Sequence, residues 1–279
     1  MVMKPIPDFV APLFVPGHRP ERFVKAAVAG ADAVIIDLED AVPADAKDAA
    51  RANVRVDFTD LPVLVRINGA GTAWHADDLA AIAELPVAAV ILPKAEPGPE
   101  LEAACARGGH SVLALIETAQ GLAGVRATAA TRGVARLAFG SVDFCADLGC
   151  AHIRDALLSA RSELVLASRL SGLPAPLDGV TTAIDDPALV TDDARYARDL
   201  GFGGKLCIHP KQVGAVLAGF RPDQAEVEWA RRVLDSGDGA VAIDGAMVDE
   251  PVRVRARSIL ARFAAGTSEQ ILGTPGPRT

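Results

Sequence analysis

The 279-residue chain fits one large α/β domain or two small ones; half of it is hydrophobic but only 4% aromatic, so a core of Ala, Val, Leu and Ile is expected. A formal net charge of −8 with no basic stripe excludes a nucleic-acid binder, and no apolar run is long enough to span a membrane. Met1–Asp8 lacks the apolar stretch of a signal peptide, and Cys105, Cys145, Cys150 and Cys207 form no C-x-x-C pair, so a cytoplasmic enzyme with reduced thiols is expected.

Short apolar runs alternate with helical periodicity along the chain. The sequence predicts strands at Pro12–Val15, Ala33–Asp37, Val63–Ile67 and Ala88–Leu92, separated by helices at Arg19–Ala29, Ala44–Val54 and Asp77–Glu84. A helix at Glu100–Ala106, a strand at Ser111–Ile116, a helix at Leu122–Ala130 and a strand at Arg136–Phe139 follow, then a loop flanked by Cys145 and Cys150. A helix at Arg154–Leu170, a strand at Ala175–Asp178, a helix at Pro187–Leu200 and a strand at Lys205–Ile208 complete eight strand–helix units with a helix at Lys211–Ala218. Strands alternating with helices imply a parallel sheet, and eight units in roughly 200–250 residues imply a closed (β/α)8 TIM barrel. An open doubly wound sheet is the alternative, but no G-x-G-x-x-G follows the first strand. Two further helices, Asp223–Asp235 and Pro251–Ala265, exceed what the barrel needs. The expected organisation is a single barrel domain with a C-terminal helical extension over 1–265 and a flexible Gly- and Pro-rich tail over 266–279.

Active sites of such barrels form where the strands end, so the residues just past each strand matter most. There the chain places His18 and Arg19, then Asp37, Glu39 and Asp40, then Arg66 and Asn68, Lys94 and Glu96, Glu117, Asp143, and His209. A ring of carboxylates repels itself unless a cation sits in it. Glu117 and Asp143 follow sequential strands, and hard oxygen ligands without His or Cys favour Mg2+. The alternative is that each caps the following helix, which suits Asp143 better than Glu117. Arg66 interrupts an apolar run and needs a partner, either the carboxylate of a substrate or Glu39 or Asp40. Lys94 is either a Schiff-base lysine or the ion-pair partner of a barrel carboxylate, and the second is favoured. His18, His75, His110 and His152 are expected in solvent. His209 either shapes the site or bonds a loop.

Several segments in order resemble the citrate lyase β-subunit family: Leu13-Phe14-Val15-Pro16-Gly17, Asp37-Leu38-Glu39-Asp40-Ala41-Val42, Val65-Arg66-Ile67-Asn68, Leu92-Pro93-Lys94-Ala95-Glu96, Ile116-Glu117-Thr118-Ala119, Cys207-Ile208-His209-Pro210 and Gly245-Ala246-Met247-Val248-Asp249. That family lies in a superfamily with malyl- and citramalyl-thioester lyases and the HpcH/HpaI aldolases. The resemblance implies a TIM barrel in a homotrimer or a dimer of trimers, a hexamer. It implies Mg2+ held by Glu117 and Asp143, with Arg66 and Glu117 contacting an oxo acid. It implies that Asp249, otherwise a surface residue or helix cap, enters a neighbouring subunit's site for proton transfer. The implied reaction cleaves or forms a 3-hydroxy acyl thioester of citryl, malyl or citramalyl type, giving an oxo acid and an acetyl thioester carried by CoA or acyl carrier protein. Glu39 and Asp40, with Asp37, would orient water around the metal, and Arg19 would meet the thioester carrier. The chain departs from many relatives at Val142, where they carry Glu. Alternatives are a metal-dependent aldolase acting on free hydroxy-oxo acids and a citrate lyase subunit active only in a complex.

Overall fold

The computed structural model describes residues 6–106, 109–237, 239, 241–243 and 245–272, which fall into two compact units, Met1–Phe220 and Arg221–Thr279. In the first unit eight strands form one sheet in sequence order: β1 (Leu13–Pro16), β2 (Val34–Asp37), β3 (Val63–Arg66), β4 (Ala89–Leu92), β5 (Val112–Ile116), β6 (Val134–Phe139), β7 (Leu177–Asp178) and β8 (Gly204–Lys205). Every neighbouring pair is parallel. The sheet curls back on itself, because Phe14 N donates to Cys207 O at 2.9 Å and Cys207 N donates to Pro12 O at 3.0 Å, a parallel bridge between the first strand and the exit of the last. This is the TIM-barrel fold that the alternation of elements predicts.

Alternation along each strand sorts its side chains into two apolar layers. Phe9, Ala33, Ile35, Leu64, Ala89, Ile91, Leu113, Leu115, Ala138, Leu177 and Leu206 form one cluster, the barrel interior. The larger cluster, with Val34, Ile36, Val65, Leu92, Ala114, Ile116 and Leu137, packs against the surrounding helices. Small and branched aliphatic side chains fill both layers, which is why so few aromatic residues suffice.

The helices Arg154–Leu170 and Pro187–Leu200 have the predicted bounds, while the first two are shorter. Pro20–Arg22 and Ala44–Ala46 are 3-10 turns leading into Phe23–Ala27 and Lys47–Ala52. The predicted helix Leu122–Ala130 is two, Ala119–Ala123 and Val125–Ala130, hinged at Gly124. The segment expected to be a loop after β6 holds a helix, Ser141–Leu148, so Cys145 is helical and Cys150 lies just beyond its end. That helix has no side-chain cap to announce it and is pinned instead by packing, with the Phe144 ring edge-on to Phe139 at 5.4 Å.

In the second unit, the helix Gln224–Asp235 begins with a capping box in which Asp223 and Glu226 bond each other's backbone N–H groups. An unpredicted hairpin, β9 (Val241–Ile243) and β10 (Ala246–Val248), leads into the helix Glu250–Leu272. Ala230, Val233, Val248, Ala256 and Ile259 form this unit's core. The last helix runs beyond Ala265, through the first part of the segment expected to fray; 273–279 lie outside the described residues. No helix among the described residues is long and apolar enough to cross a membrane.

Candidate active site

Two residues beyond an inward-facing apolar residue, the pleat again points inward, now at the barrel mouth. Ile35 is followed in this way by Asp37, Leu64 by Arg66, and Leu115 by Glu117. Asp37 and Arg66 are register partners on adjacent strands. Their side chains meet in a bidentate pair, Nε to Asp37 Oδ1 at 2.7 Å and Nη2 to Asp37 Oδ2 at 2.6 Å, over the Phe14 ring. The remaining nitrogen, Nη1, lies 3.1 Å from Glu39 Oε2 and 3.3 Å from Asp40 Oδ2. Arg66 thus has the structural partners weighed from sequence and one more, Asp37, which the register explains. Burial works against the guanidinium's charge, but Asp37, then Glu39 and Asp40, outweigh it and raise its pKa.

Asp37 also accepts from the N–H groups of Glu39, at 2.9 Å, and Ala41, at 3.0 Å. These bonds turn the chain at the end of β2 and bring Glu39, 7% exposed, to face Lys94, whose Nζ donates to Glu39 Oε1 at 3.0 Å. Glu39 Oε2 is buried without an aligned hydrogen-bond donor. Burial raises the pKa of Glu39, partly offset by Arg66. Lys94 is exposed and keeps its proton: burial lowers its pKa, but the ion pair with Glu39 more than reverses this. A Schiff-base lysine needs the neutral amine, so this geometry fits the ion-pair reading. Among the described residues Lys94 is the only non-glycine with positive φ, at 48°. That backbone turn aims its N–H at Glu117 Oε1, 2.8 Å away.

Glu117 is 1% exposed. Burial first, then Glu39 and Asp143, push its pKa from 4.5 up to about 8. The helix after it is capped by Thr118, whose Oγ1 accepts from Gly121 N at 2.9 Å, so capping is not the job of Glu117. Asp143 sits half-buried in the first turn of Ser141–Leu148 and makes no cap bond there; the N-cap is Gly140. Between the two acids the backbone is squeezed: a Cβ on Gly140 would lie 2.4 Å from Glu117 Oε2. Gly179 is similarly confined, its notional Cβ only 2.1 Å from Ser141 Oγ.

At these strand ends, and on the helices just behind them, the acids Asp37, Glu39, Asp40, Asp78, Glu117 and Asp143 outnumber the bases Lys47, Arg51, Arg66 and Lys94. The residues fit a divalent cation. Burial and then the neighbouring acids raise the pKa of Glu117, an upward push that a bound cation would oppose, and Asp143 stands beside it with no hydrogen-bond or ion-pair partner of its own among the described residues. No group of three or more His, Cys, Asp or Glu side chains among the described residues is arranged to hold a metal, so protein ligation would be limited to this pair. Beside the acids opens a cleft of about 430 Å³ lined by Glu39, Lys47, Asn68, Trp74, Lys94 and Leu101, among others.

The other expected residues play local roles within their own units. Arg19 follows β1, with its Nε on Glu21 Oε1 at 2.6 Å. Asp249, in the second unit, accepts from Val252 N at 3.3 Å and caps the last helix. Three of the histidines expected in solvent are tethered instead, His75 to Asn68 O, His110 to Ile82 O and His152 to Ser141 Oγ. His209 bonds its own loop through Lys211 N. The sequence reading passed over Lys47 and Asp78; both are charged groups on short helices with buried neighbours, a pattern that could have flagged them.

A TIM barrel whose mouth gathers acids around one buried carboxylate is a scaffold for metal-assisted chemistry on an oxygen-rich substrate. The profile of the HpcH/HpaI aldolase/citrate lyase family matches residues 11–210, and the chain belongs to that family of lyases. It is 40% identical over 272 residues to the citrate lyase subunit beta-like protein of Mycobacterium tuberculosis strain H37Rv, covering 92% of this chain and 96% of that one. It is 35% identical to a (3S)-malyl-CoA thioesterase of Cereibacter sphaeroides strain ATCC 17029, covering 92% and 95%. Among solved structures it is similar to the CitE protein of M. tuberculosis in complex with magnesium, acetoacetate and coenzyme A, with TM-score 0.84 and 39% identity over 92% of this chain and 98% of that one.

Proposed function

We propose that the chain is a Mg2+-dependent carbon–carbon lyase that cleaves, or forms, a 3-hydroxy acyl thioester of citryl, malyl or citramalyl type. The observation that carries this is Glu117: a carboxylate buried to 1% exposure, pushed up to about 8, with Asp143 beside it. Glu117 and Asp143 would hold the ion. When bound, Mg2+ supplies positive charge against the oxygen anion that develops as the C–C bond breaks. The binding of magnesium and of coenzyme A by the M. tuberculosis protein supports this cofactor and a CoA thioester as substrate.

In cleavage, the substrate hydroxyl loses its proton and its carbon becomes the carbonyl of the oxo acid, an aldehyde from a malyl thioester and a ketone from a citryl or citramalyl one. The electron pair of the broken bond passes to the acetyl thioester carbon, which then takes up a proton. Arg66 positions the oxo acid: its Nη1, paired with Glu39 and Asp40 rather than locked on Asp37, would exchange those contacts for a substrate carboxylate. Lys94 holds Glu117 Oε1 through its backbone and Glu39 through its ammonium, so both acids keep fixed orientations. Glu39 and Asp40 orient water or substrate at the rim. Asp249 of a neighbouring subunit in a trimer or hexamer serves as the proton donor, and Arg19 meets the thioester carrier.

A second reading, hydrolysis of a malyl thioester, is favoured by the malyl-CoA thioesterase relatives. Incubating the purified chain with malyl-CoA and Mg2+ separates the two. Glyoxylate with acetyl-CoA is the expected outcome; malate with free CoA would establish the hydrolase instead. No turnover of malyl-, citramalyl- or citryl-CoA, with activity on free hydroxy-oxo acids, would make it an aldolase.

A further inference from the structure

Lys47 begins the helix Lys47–Ala52 and is 7% exposed. Its Nζ donates to Leu38 O at 2.8 Å, Glu39 O at 2.7 Å and Asn68 Oδ1 at 2.7 Å. An ammonium has three protons to donate, so this one is fully satisfied within the protein and has none left for a substrate. Two of the acceptors are carbonyls of consecutive residues. Extended backbone points successive carbonyls to opposite sides; here both converge on one point, and their aligned dipoles repel without a cation between them. The third acceptor belongs to the exit of β3, the neighbouring wall of the cleft. Asn68 is itself fixed, its N and Nδ2 both donating to Asp78 Oδ2, at 2.8 and 2.6 Å, while Asp78 Oδ1 accepts from Arg51 Nε at 2.8 Å. A chain of buried polar contacts thus runs from Arg51 through Asp78, Asn68 and Lys47 to the backbone of Glu39.

We infer that Lys47 is a positioning residue of the lyase site: its ammonium clamps the Leu38–Glu39 backbone to Asn68 and so sets the Glu39 carboxylate against Arg66 and Lys94. The role suits lysine. Three oxygens converging on a point match a compact ammonium, whereas a planar guanidinium spreads its donors over a fork. The inference rests on the proposed lyase reading, because it assigns Lys47 to that site.

The test compares Lys47→Met, Lys47→Arg and Lys47→Ala with the wild type, each checked for cooperative unfolding. Lys47→Met keeps length without charge and is expected to lose about tenfold or more in kcat with a smaller change in KM. Lys47→Arg keeps the charge without the convergent geometry and is expected to lose a similar factor. Lys47→Ala leaves room for a small cation, so ethylammonium should restore its kcat by several-fold while tetramethylammonium, which has no N–H, should not. That rescue is something a packing role would not produce. Wild-type kcat in Lys47→Met or Lys47→Arg would overturn the inference, as would a Lys47→Ala defect that both ions, or neither, relieve. If Lys47→Met fails to fold, Lys47→Arg and the rescue of Lys47→Ala still decide. Failure of the lyase reading shows separately, as a wild-type chain with no thioester-cleaving activity.

Discussion

At Glu117, burial and the neighbouring acids act in the same direction, and pH makes the consequence measurable. Its folded pKa is raised from 4.5 to about 8, so between those values the metal-free folded chain holds a proton that the unfolded chain has released. Stability from this group is therefore full below about pH 4.5, falls as pH rises through the window, and levels off above about 8. Thermal melts of metal-free protein across that range should show a steeper loss in the wild type than in Glu117→Gln, which cannot titrate; equal slopes would mean the carboxylate is not perturbed. At Arg66 the geometry matters as much as the charge. Arg66→Lys keeps the charge but forfeits the two-pronged grip on Asp37, and each lost charge-assisted bond is worth about 1.5–3 kcal/mol. A fall of roughly 10–100-fold in kcat/KM for the thioester is expected, and an unchanged value would remove Arg66 from substrate handling. Arg66, Glu39, Lys94 and Glu117 were all legible in the sequence because each charged residue follows an apolar run. The Asp37 partnership was less so, since it depends on the register between β2 and β3, which only pairing in space defines.

Among the elements, the turn from β6 into the helix Ser141–Leu148 governs the distance between the two proposed ligands. Gly140 fits only because it lacks a side chain: an added Cβ would meet Glu117 Oε2 at 2.4 Å and Glu117 Cβ at 2.5 Å. Gly140→Ala should displace Glu117, cost about 1–3 kcal/mol in stability as an overpacked site, and weaken Mg2+ binding in calorimetry. Retention of both wild-type stability and affinity would show that the turn is loose. The helix itself escaped the sequence reading, because it is short, starts without a capping side chain and is held by the Phe139–Phe144 contact. The strands were plainer, since runs such as Val34-Ile35-Ile36 are buried on both sides. β7 and β8 are only two residues each: pairing begins at Leu177, past Ala175 and Pro176, and stops at Lys205, before the apolar Leu206-Cys207-Ile208.

For the whole molecule, the alternation of eight apolar runs with helical segments was enough to indicate a barrel, while the hairpin Val241–Ile243/Ala246–Val248 left no comparable signal. Among the described residues Asp249 has no side-chain partner beyond its cap bond, so its proposed role in a neighbouring subunit calls for a mixing experiment. Asp249→Asn and Glu117→Gln should each be inactive alone yet regain part of the wild-type rate when unfolded and reassembled together; no recovery would confine both residues to one chain or exclude Asp249. The account as a whole stands on a divalent cation shared by Glu117 and Asp143. Its most direct test is calorimetric titration of Mg2+ into the metal-free protein, the wild type beside Glu117→Gln and Asp143→Asn. One ion per chain in the wild type, and loss of that binding in both folded variants, is the predicted result; stoichiometric binding retained in either variant, or none in the wild type, would contradict it.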